Sequence, residues 1–399
     1  MTTKKPIRLC SFFLLFCLLT LSLCNSNSLF TAHAAVSDEK TIYVAFGDSI
    51  AAGYGLNGYT KDQTTAPADS YQAILSRFLK TTSVNYAVTG DNSTDCMELL
   101  NSGKADESLK NADIITLSIG SNDLLLPFIH IVMDHFNIQP GTIDASAFDN
   151  GFTMPDINAA EINISDLLKY YQQSEALIAK LTDNETLHAH ANAFPEKLEA
   201  ILSVLHEKAP SAEIYVTNIY NPFAFIPMLS SLADSYIREI NQAFSANAPD
   251  YTLIDVYTPF NKEALTNVHF DLKDPSSINP DPHPSVQGHK KIADLLTTAL
   301  KQAHNPDAAS FRSLKSSGKT KITAKIDLPA NADSYQIRYA SSKNGTYQTL
   351  AASSEKTYQT NTKKLKSGKT YYFRIRSFKT IKGVTYYGKN SSAKKITIK

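Results

Sequence analysis

Short apolar runs alternate with segments of helical periodicity between residues 41 and 302. The apolar runs predict buried strands, which lie at 41–46, 83–87, 114–119, 213–217 and 252–256. Helical periodicity is clearest from about Pro284 to Gln302, where the large aliphatic residues fall on one face. Strands that alternate with helices build a parallel sheet covered on both sides. We therefore predict an α/β fold with a parallel five-stranded sheet between two helical layers, and a ligand site at the carboxyl ends of its strands.

Residues 1–34 have the composition of a signal peptide. Three basic residues stand near the start, an apolar stretch covers 10–23, and small residues surround the predicted cleavage site near Ala34. A retained membrane anchor is the alternative, but this stretch is shorter than the ~20 residues of a span. No later segment approaches that length, so we expect no transmembrane segment after cleavage. The sequence thus predicts a secreted, extracellular protein, with association to the cell surface as a second option.

Three of the four cysteines lie in this leader, so the predicted mature chain keeps Cys96 alone. An internal disulfide and a cysteine-type zinc site are then excluded. We interpret Cys96 as a packed residue, because its surroundings do not resemble a cysteine-protease site. The chain has no glycine-rich phosphate loop of the pattern Gly-x4-Gly-Lys-Ser/Thr, and His188 and His190 diverge on a predicted helix. We predict neither a cofactor nor a metal.

The charge of the chain changes sign near its last quarter. Residues 310–399 contain 20 Lys and Arg against 3 Asp and Glu, a net charge of +17, whereas residues 36–309 carry −19. We predict a domain boundary there, with an α/β domain at 36–304 and a polar linker at 305–309. Export makes nucleic acid an improbable partner for the basic segment. We expect an anionic cell-wall polymer instead, held by charge attraction that salt would screen.

Residues 310–399 also have their own pattern of short strands. The runs 335–339 and 371–376 alternate apolar and polar side chains, and glycine turns separate such runs. Regularly spaced short strands predict an all-β sandwich. Leu365 and Tyr371, with Gly368 between them, resemble the tyrosine corner of fibronectin type III domains. The resemblance implies a fibronectin type III-like sandwich.

Residues 124–205 fit the strand–helix alternation least well. They begin with the apolar run 124–129 and continue with helical stretches at about 164–181 and 191–206. We interpret the segment as a helical insertion at the sheet edge or over the site. An ordinary pair of covering helices is an equal alternative.

Two polar segments at the ends of the α/β domain carry groups suited to acyl transfer. Ser49 follows the first predicted strand, where its hydroxyl would face the crevice at the strand ends. A serine hydroxyl is a weak nucleophile until a base takes its proton. His283 stands among three prolines just before the last helix, a stiff setting that suits a base. His289 is a competing base, and Asp48 is expected to shape the loop.

Groups that stabilise an oxyanion follow two other strands. Gly90 stands in a turn after residues 83–87, where the backbone can approach a substrate, and Asn122 offers a side-chain amide after residues 114–119. Preorganised N–H donors stabilise the negative charge of a tetrahedral intermediate. Either segment is equally compatible with a simple turn.

Taken together, these segments resemble the GDSL, or SGNH, hydrolase family over about residues 40–302. Ser49, Gly90, Asn122 and His283 occur in the chain order of the four family blocks. The resemblance implies a flavodoxin-like three-layer fold, Ser49 as nucleophile, and His283 as general base and acid. It also implies an oxyanion hole made by Ser49, Gly90 and Asn122. The family places an Asp three residues before the His, where this chain has Pro280.

Asp281, two residues before His283, is our choice to orient the imidazole, and Asp274 or a backbone carbonyl are the alternatives. The predicted activity is that of a secreted serine hydrolase that cleaves carboxylic esters, with a lipid or acylated glycan as substrate. Two other functions stay open. One is a carbohydrate O-deacetylase that acts on cell-wall or plant polysaccharide. The other is an inactive surface-binding protein with a hydrolase fold.

Overall fold

A computed structural model describes residues 40–61, 64–135, 175–245, 248–269 and 281–399. The predicted signal peptide at 1–34, the alternative residue Asp274 and Pro280 lie outside these residues. Residues 136–174 of the predicted insertion, which include part of the predicted helical stretch at 164–181, lie outside them as well.

The first domain contains a five-stranded sheet in the order β2-β1-β3-β4-β5, in which every neighbouring pair is parallel. The strands are β1 (Tyr43–Gly47), β2 (Ser83–Asn85), β3 (Ile114–Ser118), β4 (Glu213–Thr217) and β5 (Thr252–Ile254). Every residue of β1 and β3 is buried, as expected for central strands covered on both faces. This sheet confirms the predicted fold class.

Helices cover both faces of the sheet. They are α1 (Ser49–Ala52), α2 (Tyr71–Leu79), α3 (Ser93–Asn101), α4 (Asp106–Lys110), α5 (Ser121–His135), α6 (Glu185–Lys208), α7 (Pro227–Ile240), α8 (Tyr257–Lys262), α9 (Ala264–Asn267) and α10 (Val286–His304), with a further helical segment at 175–181. Side chains of α3, α6 and α7 share one apolar core with the sheet, and those of α2, α8 and α10 share the other. Among the described residues, no helix has both the length and the apolar character needed to cross a membrane.

The segment 124–205 contributes to this covering layer. Its apolar run at 124–129 forms part of α5 and contains Pro127. Phe194, Leu198 and Ile201 of α6 are buried in the core against the sheet. The described part of the segment therefore supplies helices that cover this face of the sheet.

The last ninety positions form two antiparallel sheets around a separate apolar core. The strands are β6 (Ser310–Gly318), β7 (Lys321–Asp327), β8 (Ser334–Ala340), β9 (Gln348–Ser353), β10 (Thr357–Asn361), β11 (Thr370–Ile381), β12 (Val384–Tyr387) and β13 (Lys394–Thr397). One sheet has the order β10-β7-β6, and the other has the order β12-β11-β8-β9 with β13 also paired to β11. The hydroxyl of Tyr371 accepts a hydrogen bond from the backbone N–H of Lys366 at 3.3 Å, as a tyrosine corner requires. The predicted β-sandwich is confirmed.

The hairpin of β11 and β12 packs against the first domain. Tyr386 is buried, and its ring lies 6.1 Å from that of Phe78 in α2 and 5.0 Å from that of His304 in α10. Lys382 forms an ion pair with Asp113 at 2.5 Å. Asp113 directly precedes β3, so the sandwich packs at the amino ends of the parallel strands. The carboxyl ends, where the candidate site lies, are at the opposite edge.

Candidate active site

The position of Ser49 is set by a sharp turn at the carboxyl end of β1. Gly47 has a φ of +145°, and a Cβ added there would lie 2.1 Å from the carbonyl oxygen of Ser118. Only glycine therefore fits between β1 and β3 at this point. Asp48 caps α1 through a hydrogen bond from Ile50 N–H to its Oδ1 atom at 2.9 Å. Ser49 is thus the first residue of the short helix α1, directly after the carboxyl end of β1.

The structure brings His283 to this serine. Its Nε2 atom lies 2.8 Å from Ser49 Oγ, although the two residues are 234 positions apart. The backbone around His283 is fastened to residues 267–269, because His269 N–H donates to His283 O at 2.9 Å and Ser285 N–H donates to Asn267 O at 2.8 Å. The hydroxyl of Tyr220 donates to Pro282 O at 2.7 Å. These bonds fix the loop that carries the imidazole.

Asp281 completes a chain of three polar side chains. Its Oδ1 atom lies 2.5 Å from His283 Nδ1. Burial acts to raise the pKa of this carboxyl, but the hydrogen bonds and charge of His283 outweigh burial and hold the pKa below its usual value. An ionised carboxylate can only accept, so Nδ1 carries the proton and Nε2 presents its lone pair to Ser49 Oγ.

The two predicted oxyanion donors follow β2 and β3: Gly90 lies in the turn after β2, and Asn122 lies at the start of α5. Gly90 has a φ of +94°, and nothing lies within 4 Å of a Cβ added there. The side-chain amide of Asn122 donates to the carbonyl oxygen of Asp91 at 2.8 Å, which joins the start of α5 to the turn after β2. An amide has a second N–H, and Asn122 lines the same cavity as Ser49 and His283. This arrangement can direct amide hydrogens at a substrate carbonyl.

Asp123 lies beneath these donors and was not singled out by the sequence. It is buried, and its carboxylate accepts from Ser93 N–H at 2.9 Å, from Ser93 Oγ–H at 2.5 Å and from Lys197 Nζ at 3.2 Å. The carboxylate therefore ties the start of α3, just after Gly90, to the start of α5. The one available signal was its position directly after Asn122. No sequence pattern indicated a role for Lys197, which lies on α6.

Tyr54 is a second residue that sequence reasoning missed. Its ring centroid lies 4.4 Å from that of the His283 imidazole, and the side chain is buried. The ring of Tyr54, which follows α1, thereby limits the rotation of the imidazole of His283.

The competing histidine, His289, lies elsewhere. It is buried, and its Nδ1 atom accepts a hydrogen bond from the backbone N–H of Tyr71 at 3.3 Å. Burial, and then the nearby His269 and His283, lower its pKa to about 3. His289 lies on α10, and its ring packs against that of Tyr71 on α2. The structure therefore does not bring it to Ser49.

Cys96 is also removed from the chemistry. It lies in the apolar core of the sheet, where burial raises the pKa of its thiol to about 12. A thiol in such surroundings is unreactive.

A cavity of about 400 Å³ extends from Ser49 and His283 into the helical layer. Its walls are apolar and come from α5, the segment 175–181, the loop after β4, and α7. Representative lining residues are Leu124, Phe128, Leu181, Phe223, Leu232 and Ile237. The run 124–129 and the segment after β4 thus face the same space. The cavity has the size and lining of a site for an apolar group of a small ligand.

A sequence model of the GDSL-like lipase/acylhydrolase family matches residues 45–291 of this chain. An uncharacterized protein, YpmR of Bacillus subtilis (strain 168), is 26% identical over 286 residues, which cover 69% of this chain and 87% of that protein.

Three solved structures are similar to parts of the chain. The lipase Lip_vut3 from a goat rumen metagenome is 18% identical, with a TM-score of 0.41, and the match covers 65% of this chain and 97% of that one. An extracellular lipase from Streptomyces rimosus is 18% identical, with a TM-score of 0.39, and the match covers 65% of this chain and 99% of that one. A fibronectin type III-like protein from Clostridium thermocellum is 18% identical, with a TM-score of 0.20, and the match covers 24% of this chain and 94% of that one.

Proposed function

Because this chain belongs to the GDSL-like lipase/acylhydrolase family, we propose that it is a carboxylic ester hydrolase that works through an acyl-enzyme on Ser49. The observation that carries the proposal is the 2.8 Å contact between Ser49 Oγ and His283 Nε2, with Asp281 on the other ring nitrogen. A nucleophile, a base and an orienting carboxylate in this order are the parts that serine hydrolases use on unrelated folds.

The first half of the reaction transfers the acyl group to the enzyme. Ser49 Oγ attacks the carbonyl carbon of the ester while its proton passes to His283 Nε2. The negative charge that forms on the carbonyl oxygen is stabilised by N–H groups of Ser49, Gly90 and Asn122. His283 then gives the proton to the leaving alkoxide oxygen, and the acyl group stays on Ser49.

The second half returns the enzyme to its starting state. His283 takes a proton from a water molecule, which attacks the acyl carbon and forms a second tetrahedral intermediate. Collapse of this intermediate breaks the bond to Ser49 Oγ, which recovers its proton from His283. Asp281 holds the imidazole and stabilises its positive charge in both halves.

The apolar cavity supports an acyl chain as the group that is removed. A chain of methylene groups would leave water as it enters the cavity, and each buried methylene stabilises binding by about 0.8 kcal/mol. An acetyl group would leave most of the 400 Å³ unused. The cavity therefore favours a lipid or other acyl-chain ester over an acetylated polysaccharide.

The test is hydrolysis of p-nitrophenyl acetate, butyrate, octanoate and palmitate by the purified protein. We expect Ser49→Ala and His283→Ala to abolish hydrolysis of every ester, whereas Ser102→Ala, which changes an exposed serine, leaves the rates unchanged. A fluorophosphonate probe should label the wild type and not Ser49→Ala. Full activity of Ser49→Ala would refute the assignment, and failure of the wild-type protein to react with the probe would favour an inactive binding protein.

A second variant tests the acyl cavity. Ala233→Phe places a ring in the cavity from α7, and Ser235→Phe adds the same ring to the exposed side of the helix. We expect Ala233→Phe to reduce kcat/KM for the octanoate ester strongly and for the acetate ester little. Equal loss for both esters would argue against an acyl-chain site.

Export and domain division also belong to this proposal. The leader pattern at 1–34 supports cleavage near Ala34 and secretion, and the charge reversal supports domains at 36–304 and 310–399 joined by residues 305–309. N-terminal sequencing of the protein from the culture medium tests the first point. Limited proteolysis that yields two resistant fragments would support the second.

A further inference from the structure

Three arginines share the outer face of the five-stranded sheet of the sandwich. Arg338 of β8 stands directly opposite Arg374 of β11, and Arg376 stands two residues further along β11. Their inward neighbours Ile337 and Ile375 are fully buried, so alternation directs the arginines away from the core. We call Arg338, Arg374 and Arg376 the arginine face.

The positive charge of the arginine face is not balanced within the sandwich, all of whose residues the structure describes apart from the side chain of Asn361. Arg338 donates to the carbonyl oxygen of Tyr347 at 2.7 Å, and Arg376 donates twice to Gln336 Oε1, at 3.0 and 2.8 Å. These acceptors are neutral, and none of the three arginines forms an ion pair with another described residue.

Two of the three acidic residues of this domain have other partners. Asp327 pairs with Arg312 at 2.5 Å, and Asp333 accepts from Thr380 N–H at 2.8 Å. Glu355 stands in the turn between β9 and β10. Like charges directly opposite on neighbouring strands destabilise a sheet, so the pair Arg338–Arg374 has a cost that folding alone does not explain.

Aromatic rings hold two of the guanidinium groups in place. Arg374 lies 4.6 Å from the centroid of the Tyr347 ring, and Arg376 lies 3.8 Å from that of Tyr387. Cation–π contacts of this kind order the groups before any ligand arrives.

The Nε atoms of Arg338 and Arg374 are shielded from solvent and have no acceptor among the described residues. An anion from solvent cannot reach these shielded Nε atoms, so it would bind the terminal nitrogens of the guanidinium groups. Each terminal nitrogen carries two N–H donors, and those of Arg338 therefore keep one donor each beside the bonds to Tyr347 O and to Asn390 Oδ1.

The spacing of the arginines indicates what kind of anion fits. Residues opposite each other on an antiparallel pair are about 5 Å apart, and residues two apart on one strand are about 7 Å apart. A carboxylate has two oxygens in one plane, which a single guanidinium fork occupies. A phosphate is tetrahedral and accepts from two forks that reach it from different directions. The pair Arg338–Arg374 therefore suits one phosphate, and Arg376 suits the next group along the same chain.

We propose that the arginine face binds a flexible polymer that carries phosphate groups at regular intervals. A guanidinium group already lies over one face of each of these two rings, Tyr347 and Tyr387, which reduces the stacking surface on which single-stranded nucleic acids depend. The opposite side of β12 carries Val384 and Tyr386, which pack on the hydrolase domain. The arginine face consequently stays open while the two domains remain docked, and binding there is independent of Ser49.

The experiment measures binding of long-chain inorganic polyphosphate to the full chain at low and at physiological salt. We compare the variant R338Q/R374Q/R376Q with K315Q/K321Q/K325Q. The second variant removes the same charge from exposed positions of β6 and β7 on the other sheet. We expect the arginine variant to bind at least about tenfold more weakly, since several charge-assisted hydrogen bonds are lost, and to show a shallower salt dependence. The lysine variant should change affinity by less than about threefold, as expected of screened, distant charges.

A third variant keeps the positive charge and so tests whether the planar shape of the guanidinium groups is needed for binding. R338K/R374K retains both positive charges but loses the planar forks, so it should fold normally and still bind polyphosphate more weakly than the wild type. Circular dichroism and hydrolysis of p-nitrophenyl butyrate show that each variant is folded.

Three results would overturn the proposal. One is equal weakening by the arginine and lysine variants, and another is wild-type affinity of R338K/R374K. The third is tighter binding of polygalacturonate or of a single-stranded oligonucleotide than of polyphosphate.

Discussion

Asp281 and His283 are joined by two hydrogen bonds to the same oxygen. Asp281 Oδ1 lies 2.5 Å from the ring Nδ1 of His283 and accepts from its backbone N–H at 2.9 Å. The second bond is that of an Asx-turn, in which an Asp side chain caps the backbone two residues ahead. This turn explains how a carboxylate only two positions away reaches the imidazole. The position three residues before His283 is Pro280, which has no such group.

Asp281→Asn should lower kcat strongly and leave KM nearly unchanged. An amide at this position can present an N–H to the ring and select the wrong tautomer, and in a well-studied triad that change costs about 10⁴-fold in kcat. Steady-state hydrolysis of p-nitrophenyl butyrate measures the effect. Asp294→Asn alters an exposed carboxylate on α10 and should behave as the wild type. A loss of less than about tenfold in Asp281→Asn would show that another group orients His283.

Asn122→Ala should reduce kcat by about 10²–10³-fold, the usual cost of losing one oxyanion donor. The variant also removes the bond from the Asn122 amide to Asp91 O. Because the donor acts on the transition state, KM should change little. Asn111→Ala, at an exposed position, is the matched control. An unchanged kcat in Asn122→Ala would show that Asn122 is not an oxyanion donor.

Asp123→Asn should lower kcat by roughly tenfold. Asp123 binds Ser93 and Lys197 and not the substrate, so its loss would act by displacing the oxyanion donors Gly90 and Asn122. The lost bonds to Ser93 should also lower the free energy of unfolding by about 1–3 kcal/mol. A double-mutant cycle with Asn122→Ala separates the two effects. If Asp123 acts by positioning Asn122, its effect on kcat should largely disappear in the Asn122→Ala background. An undiminished effect in that background would contradict this role.

Asp48→Asn should flatten the dependence of stability on pH. Asp48 is fully buried, and burial raises its pKa from 3.8 to about 7. Between these values the unfolded chain has released a proton that the folded chain retains, so the stability of the wild type falls as pH rises from about 4 to about 7. The pKa difference corresponds to on the order of 4 kcal/mol. Asparagine keeps the cap of α1 and does not titrate.

The measurement for Asp48 is urea unfolding of both proteins at several pH values, followed by circular dichroism because the chain has no tryptophan. Above pH 7 the variant should be the more stable protein, and the difference should vanish near pH 4. Parallel stability curves would show that Asp48 is ionised in the folded protein throughout this range.

Tyr386→Ala should uncouple the two domains. Its ring is buried against Phe78 and His304, and loss of a buried aromatic ring costs about 3–5 kcal/mol. In calorimetry we expect the unfolding transition of the hydrolase domain to move to lower temperature and to separate from that of the sandwich. Tyr387→Ala removes the neighbouring ring on the exposed side of β12 and should not separate the transitions. The same result in both variants would mean that Tyr386 does not dock the domains.

Much of the α/β framework could be predicted because its signals are local. The central strands β1 and β3 are continuous apolar runs, and the predicted ends differ from the observed ends by at most two residues. Ser49 and His283 stood out because a strand end and a proline-rich turn each carry a reactive side chain. The sandwich was visible for a similar reason, since alternation on β8 and β11 is a property of consecutive residues.

By itself the sequence determined the two fold classes, the charge reversal between them and the side chains able to do acyl transfer, because composition and periodicity act through neighbours in the chain. Tertiary structure alone decided that Ser49 and His283 meet, that Lys197 reaches Asp123 and that α5 and α7 enclose a cavity. It also decided that the sandwich docks at the amino ends of the strands, away from the candidate site. The physical reason is that an apolar residue has the same periodic pattern whether it fills a core or lines a cavity. A contact between distant segments depends on how the helices pack, and no local pattern records that packing.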